Sequence, residues 1–236
     1  METVYYLILV PMVYLAAAVF VIGIIARIIA IARTPREATA QQIFPAHRGG
    51  GLLALYDTFL MPQARRHAPV FWGFLIAFHV AFLLLILAHL DLIPGITIMS
   101  PESPNMLGYG FVGVVLILAV FYFLLRRFVG PVKDISVLGD YLLLLLLLFI
   151  VLSGDIISWG NSWSESGFVM TKQDFRAYLG SMVRFQFANP RDFLYGSHYI
   201  ILVLHVLLAN LFLMIFPFTK IMHTFFALPM NRLRRG

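Results

Sequence analysis

The chain contains no cysteine in 236 residues. It therefore has no disulfide, no thiolate redox motif and no cysteine-held iron–sulfur cluster of its own. Any electrons it moves travel by haem or by a partner's cofactors. Charge is scarce too: 12% of residues are charged and 61% hydrophobic, with a mean hydropathy of +0.91. Soluble domains carry roughly 25% charge, so an ordinary soluble fold is excluded and a membrane protein is implied. Strict alternation, the mark of a lipid-embedded barrel, is missing as well. The leucine run ending at Leu148 has no period of two, which leaves helices as the way to satisfy the backbone in lipid.

What is present are five apolar stretches, about 4–32, 68–93, 108–129, 135–159 and 194–218. Each holds the roughly 20 residues that a bilayer core of about 30 Å requires. The expected fold is an all-α, five-helix transmembrane bundle forming a single integral membrane domain over 1–236, with an inner loop 33–67 and an outer loop 160–193. The first stretch has no basic n-region ahead of it and no cleavage site behind it, so it reads as a retained helix.

Lysine and arginine mark the cytoplasmic side. The loop after the first helix carries Arg33, Arg36, Arg48, Arg65 and Arg66. The third connection carries Arg126, Arg127 and Lys133, and the C-terminal end Lys220, Arg232, Arg234 and Arg235. The N-terminus and the 2–3 loop, with Asp91 and Glu102, have no basic residue. The 4–5 loop balances its four cations with Glu165, Asp174 and Asp192. The expected topology is N-terminus outside and C-terminus cytoplasmic, in a bacterial or archaeal inner membrane; anionic-lipid binding by the basic loops fits the same topology. No nucleic-acid partner is expected. In the inner loop, Gly49-Gly50-Gly51 precedes Leu52, Leu53, Leu55, Tyr56, Phe59 and Leu60, a spacing that suits either an interfacial helix or a dock for a cytoplasmic partner. The outer loop carries Trp159, Trp163, Phe168, Phe175, Tyr178 and Phe185, as an aromatic belt does and as a lid over a hydrophobic ligand would.

Four histidines stand in or beside these helices: His79 and His89 on the second, His205 and His223 on and beyond the fifth. Ionisable groups in lipid are costly and mark function, and imidazole is the usual nitrogen ligand of haem iron. Two helices offering two imidazoles each can hold two haems at two depths. Ten residues separate His79 from His89, about 15 Å of rise, whereas the 18 between His205 and His223 give about 27 Å. Pro217 permits a change of path before His223. On spacing alone, a rival pairing with His198 matches better: His89 with His198, and His79 with His205, at rises of about 15 and 10.5 Å. The alternatives are histidines bonded to neighbouring carbonyls, or a transporter's proton relay. Against a relay, Asp91, Asp140 and Asp155 all fall near helix ends. A cofactor-free transporter or membrane anchor is the reading from another class. His47 and His67 read as solvated loop residues.

The stretch Leu204-His205 through Phe216-Pro217-Phe218-Thr219-Lys220-Ile221-Met222-His223, with Pro229 beyond, resembles the last helix of the respiratory nitrate reductase gamma subunit. Leu124-Leu125-Arg126-Arg127 with Pro131, running into Gly139-Asp140, resembles that family's inner turn. The family is a five-helix, N-outside, dihaem cytochrome b whose second helix carries two histidines ten apart. The resemblance implies an outer haem b on His89 and His205 and an inner haem b on His79 and His223, overruling the lean toward His198. The same fold family includes the membrane cytochromes of heterodisulfide reductase and of transmembrane redox complexes in sulfate-respiring anaerobes, whose cytoplasmic partner is an iron–sulfur protein. The nitrate reductase branch uses a lysine near its outer helix 2–3 region to bind quinol. Here Asp91 to Leu107 has none, and the inner loop 33–67 looks longer, so the other branch is favoured.

The resemblance implies electrons passing between menaquinone or ubiquinone near the outer haem and a cytoplasmic iron–sulfur subunit near the inner one. Other membrane subunits or a periplasmic multihaem cytochrome are further partners it allows. Each electron crossing the membrane is worth about 2.3 kcal/mol per 100 mV. Candidates for a quinone site are Asp91, Asp155, Trp159 and His198, where a carboxylate or imidazole would accept a proton; a place in the interface accounts for Asp155 and Trp159 equally. Arg126, Arg127, Lys133 and Lys220 are candidates for pairing with haem propionates or for snorkelling anchors.

Overall fold

A computed structural model of the chain describes residues 2–33, 49–98, 110–163, 168–169, 171–194 and 196–235. His47, Arg36, Arg48, Glu102 and Glu165 lie outside the described residues. Everything described is helix, turn or coil, with no strand among the described residues. The helices are α1 (Glu2–Leu9), α2 (Pro11–Ala32), α3 (Gly50–Leu60), α4 (Pro62–His67), α5 (Pro69–Leu90), α6 (Phe111–Arg126), α7 (Leu138–Trp163), α8 (Lys172–Val183), α9 (Tyr199–Ile215) and α10 (His223–Arg235).

Among the described residues, four segments are long and apolar enough to cross a membrane: Glu2–Ala32, Pro69–Leu90, Leu138–Trp163 and Tyr199–Phe218. The protein is a multi-pass membrane protein. The remaining apolar stretch of the sequence is α6, whose 16 residues rise about 24 Å, short of a core of about 30 Å. The loops hold more helix than the sequence suggested: α3 and α4 occupy the described part of the inner loop and α8 the middle of the outer one. Thr171 and Asp174 start α8 with a reciprocal capping box, the pattern that satisfies two orphan amides at once.

The first span is not one helix. Pro11 has no amide hydrogen, and the chain breaks between α1 and α2 at Val10. The amide of Val13 turns back to the Val10 carbonyl at 3.2 Å, which leaves carbonyls of the preceding turn without their helical donors. Neighbouring side chains supply them: Asn210 Nδ2 donates to Ile8 O at 3.0 Å, and the Tyr178 hydroxyl donates to Leu9 O. A proline break in lipid persists where side chains take over the freed carbonyls.

The chain divides into two compact units, 1–16 with 77–212, and 17–76 with 213–236. The first has a core of Leu9, Val10, Leu92, Ile157, Val169, Tyr178, Met182, Leu194, Tyr199, Leu202 and Val203. Much of the outer loop is therefore interior. Tyr178 and Met182 of α8 pack with the α1–α2 break, and desolvation holds the Tyr178 phenol above its usual range. In the second unit, the Pro217 ring occupies the space where a Cβ of Gly23 would stand, 2.7 Å from it. Arg27 lies 5.9 Å over the Phe218 ring. Here α3 packs on α10: Arg235 Nη2 pairs with Asp57 at 2.6 Å, and Asn231 donates to Thr58 Oγ1 at 3.0 Å.

Candidate haem site

The sequence places His205 in the second turn of α9, facing α7. There its Nδ1 lies 3.1 Å from Ile150 O and 3.0 Å from Ser153 Oγ. Ser153 Oγ in turn donates to the Phe149 and Ile150 carbonyls, at 2.8 and 2.9 Å. Gly154 completes this wall: a Cβ there would stand 3.1 Å from His205 Cε1. The imidazole is thus fixed through one nitrogen and flanked by a residue without a side chain.

His89, in the last turn of α5, is fixed in the same way, with Nδ1 2.8 Å from Leu85 O. The residue as a whole is exposed. His89 and His205 are thus anchored alike, each through Nδ1. Among the described residues the Nε2 atom of neither ring has a hydrogen-bond partner. Metal-binding histidines characteristically donate one ring N–H to a carbonyl, which fixes the tautomer and presents the other nitrogen to the metal. Two imidazoles so anchored would suit a haem iron, to which the protein would supply two nitrogen ligands. Among the described residues no group of three or more His, Cys, Asp or Glu converges on one point.

His223, at the start of α10, repeats the anchoring, with Nδ1 3.0 Å from Lys220 O. His79 is exposed on α5 and meets the Phe78 ring edge-on at 5.4 Å. His198 is placed differently. It precedes α9 and stacks on Phe168 with ring centroids 3.9 Å apart. Its Nδ1 lies 2.9 Å from Ser197 Oγ and 3.3 Å from Phe168 O. The ring is engaged in holding the outer loop.

Other candidates from the sequence divide similarly. Asp91 is buried and accepts from the Ile98 amide at 2.9 Å, tying down the turn after α5. Arg127 is committed to the inner turn, with Nη1 3.2 Å from Asp140 and 3.0 Å from Ser136 Oγ, while its carbonyl accepts from Tyr141 at 2.6 Å. Arg126 and Lys220 have partners too, and Lys133 is exposed.

Asp155 stands apart. Only 9% of its surface is exposed, and its Oδ2 atom is buried with no hydrogen-bond partner. Its carboxylate fills the place where Gly113 of α6 would carry a Cβ, and one turn on, Trp159 does the same at Gly110. Sequence reasoning singled out Asp155 and Trp159 but missed the residues that seat them and His205: Gly110, Gly113, Ser153 and Gly154. The signal was there, as small residues inside otherwise bulky apolar helices mark close approaches.

The chain is 26% identical over 260 aligned positions to the Hdr-like menaquinol oxidoreductase cytochrome b-like subunit of Archaeoglobus fulgidus, an alignment covering 89% of this chain and 74% of that protein. Residues 63–236, which include His79, His89, His205 and His223, match the family described as nitrate reductase gamma subunit. The chain therefore belongs to the nitrate reductase gamma subunit family.

Proposed function

We propose that this protein is a dihaem b-type cytochrome subunit of an anaerobic respiratory redox complex, carrying electrons across the cytoplasmic membrane between a quinone pool and a cytoplasmic iron–sulfur partner. The observation that supports the reading is the shared anchoring of His89 and His205: each Nδ1 is held by a backbone carbonyl, which leaves the other ring nitrogen for a metal. In this reading His89 and His205 hold the outer haem. The second haem, on His79 and His223, is proposed from the family's histidine pattern. Five membrane crossings with the N-terminus outside, α6 being the shortest, belong to the same proposal.

His89 and His205 would hold such a haem, which would supply one-electron transfer. The chain's own contribution is orientation. Ile150 O and Leu85 O fix the two rings, and Ser153 and Gly154 set the wall against His205. The similarity to the Archaeoglobus subunit makes menaquinol the favoured reductant and an Hdr-like complex the favoured setting. The gamma subunit of a nitrate-reducing molybdenum enzyme is the second reading, favoured by the family match. Asp91 to Leu107 lacks the basic residue expected of that branch. A periplasmic cytochrome as an additional electron partner remains part of the proposal.

The test is chemical reduction of the purified protein by a water-soluble naphthoquinol, followed at the haem α-band. Reduction of the haem in wild type, halved in His205→Ala and in His89→Ala, is expected. Reducible haem of unchanged amount in both variants would contradict the assignment. Copurification with an iron–sulfur subunit, against a molybdenum subunit, separates the two complexes.

A further inference from the structure

We propose that Asp155 Oδ2 is the acceptor for a ring hydroxyl of a membrane-borne hydroquinone, with Trp159 as the neighbouring apolar wall. This rests on the cytochrome reading above and names the residue that recognises its reductant.

The first support is the unmet polar atom. Asp155 lies within the long apolar helix α7, and its Oδ2 has no donor among the described residues. A buried polar group without a partner is unfavourable, so the chain keeps a hydrogen-bonding position open. The other buried acids of this unit are served: Asp91 by the Ile98 amide, and Asp140 by Arg127 and the Val137 amide.

The second support is how Asp155 is accommodated. A Cβ on Gly113 would collide with Asp155 Oδ1, so alanine there cannot coexist with the carboxylate as placed. Gly110, at φ +69°, similarly leaves room for the Trp159 indole, whose Nε1 a Cβ would meet. Asp155 and Trp159 are four residues apart on α7, on one face, and the two glycines are three apart on α6. The end of α6 is thus shaped around this carboxylate and this indole.

The third is the approach. The described residues along this end of α7 and at the start of α6 carry exposed aromatic side chains: Trp163 is 80% exposed, Phe111 73%, and Trp159, stacked on Trp163 at 5.9 Å, 36%. A ligand suited to both surface and interior has a flat apolar ring, a hydrocarbon tail and a hydroxyl donor, which describes a hydroquinone. Asp155 directly follows Gly154, which packs on His205, so a headgroup held there is near the outer imidazole pair.

The experiment uses the full-length protein in detergent or nanodiscs. The probe is 2-heptyl-4-hydroxyquinoline N-oxide, a non-oxidisable analogue whose fluorescence is lost on binding. Haem content and α-band spectrum are recorded for every variant. Wild type should bind the probe, Asp155→Leu at least tenfold more weakly, and Gly113→Ala similarly, while Gly139→Ala, which meets nothing within 4 Å, binds normally. Asp155→Asn, which keeps the shape and one acceptor, should fall between. Unchanged affinity in Asp155→Leu and Gly113→Ala, with haem retained, would overturn the proposal and leave the cytochrome reading standing. Haem-containing wild type that does not bind the probe would overturn it too. Wild type without haem would overturn the cytochrome reading and this inference with it.

Discussion

The Cε1 atom of His205 lies 3.1 Å from where a side chain on Gly154 would begin, so the imidazole is aligned by an absence. A bulkier residue must push the ring away from Ile150 O and Ser153. Gly154→Val is therefore expected to lose about half of the bound haem, while Gly139→Val on the same helix, with nothing within 4 Å, keeps it all. Haem per chain by pyridine haemochrome measures both. Equal loss in the two variants would mean that general helix damage, not the His205 contact, decides.

Tyr178→Phe removes the donor to Leu9 O at the α1–α2 break. The freed carbonyl stays buried, so a loss of about 1–3 kcal/mol is expected, read as a lower thermal midpoint in detergent. The sign with pH follows from the raised phenol. The unfolded chain releases this proton near pH 10 and the folded chain only above that. The contribution is complete below pH 10 and declines as pH rises past it, by up to about 1.4 kcal/mol per unit. Comparing wild type with Tyr178→Phe from pH 8 to 11 should show the difference shrinking. A constant difference would contradict the linkage.

Arg235 and Asp57 join α10 to α3 over 2.6 Å, with the aspartate side chain 9% exposed. Arg235→Ala strands a nearly buried carboxylate and should cost about 1–3 kcal/mol, less than a fully buried pair because the arginine is partly in solvent. Adding Asp57→Asn should restore part of that. A double-mutant cycle gives the coupling; additive losses would show that the pair contributes little.

Arg127 is held by Asp140, Ser136 and the local turn, which leaves it a structural part of the inner connection. Arg127→Ala is expected to lower stability while leaving the reduction potentials of any bound haem within about 20 mV, on the scale where 59 mV is tenfold for one electron. A redox titration of the variant checks this, and a large shift would make Arg127 a haem neighbour instead.

The sequence revealed the spans because apolar runs of about 20 residues have few other uses. It also revealed the histidines, because an imidazole in such a run stands out. The break at Val10 was not legible as such: Pro11 signalled it, but whether a helix tolerates a proline depends on Asn210 and Tyr178, some 170 to 200 positions away. His198 illustrates a second limit. Its spacing suited a ligand, and only its stacking on Phe168 shows the ring engaged elsewhere. The outer loop's aromatic content suggested a belt or lid, yet Tyr178 lies in the core, a destination composition does not reveal. Gly113 and Asp155 are 42 residues apart, and their complementarity becomes visible only once α6 and α7 pack.

The most direct measurement is a dithionite-reduced minus oxidised spectrum of the purified protein, with haem quantified per chain, for wild type, His89→Ala, His205→Ala and His198→Ala. The expected result is a b-type α-band with two haems in wild type, one in each of the first two variants and two in His198→Ala. An absence of haem from wild type, or loss of haem in His198→Ala with full retention in His205→Ala, would contradict the account.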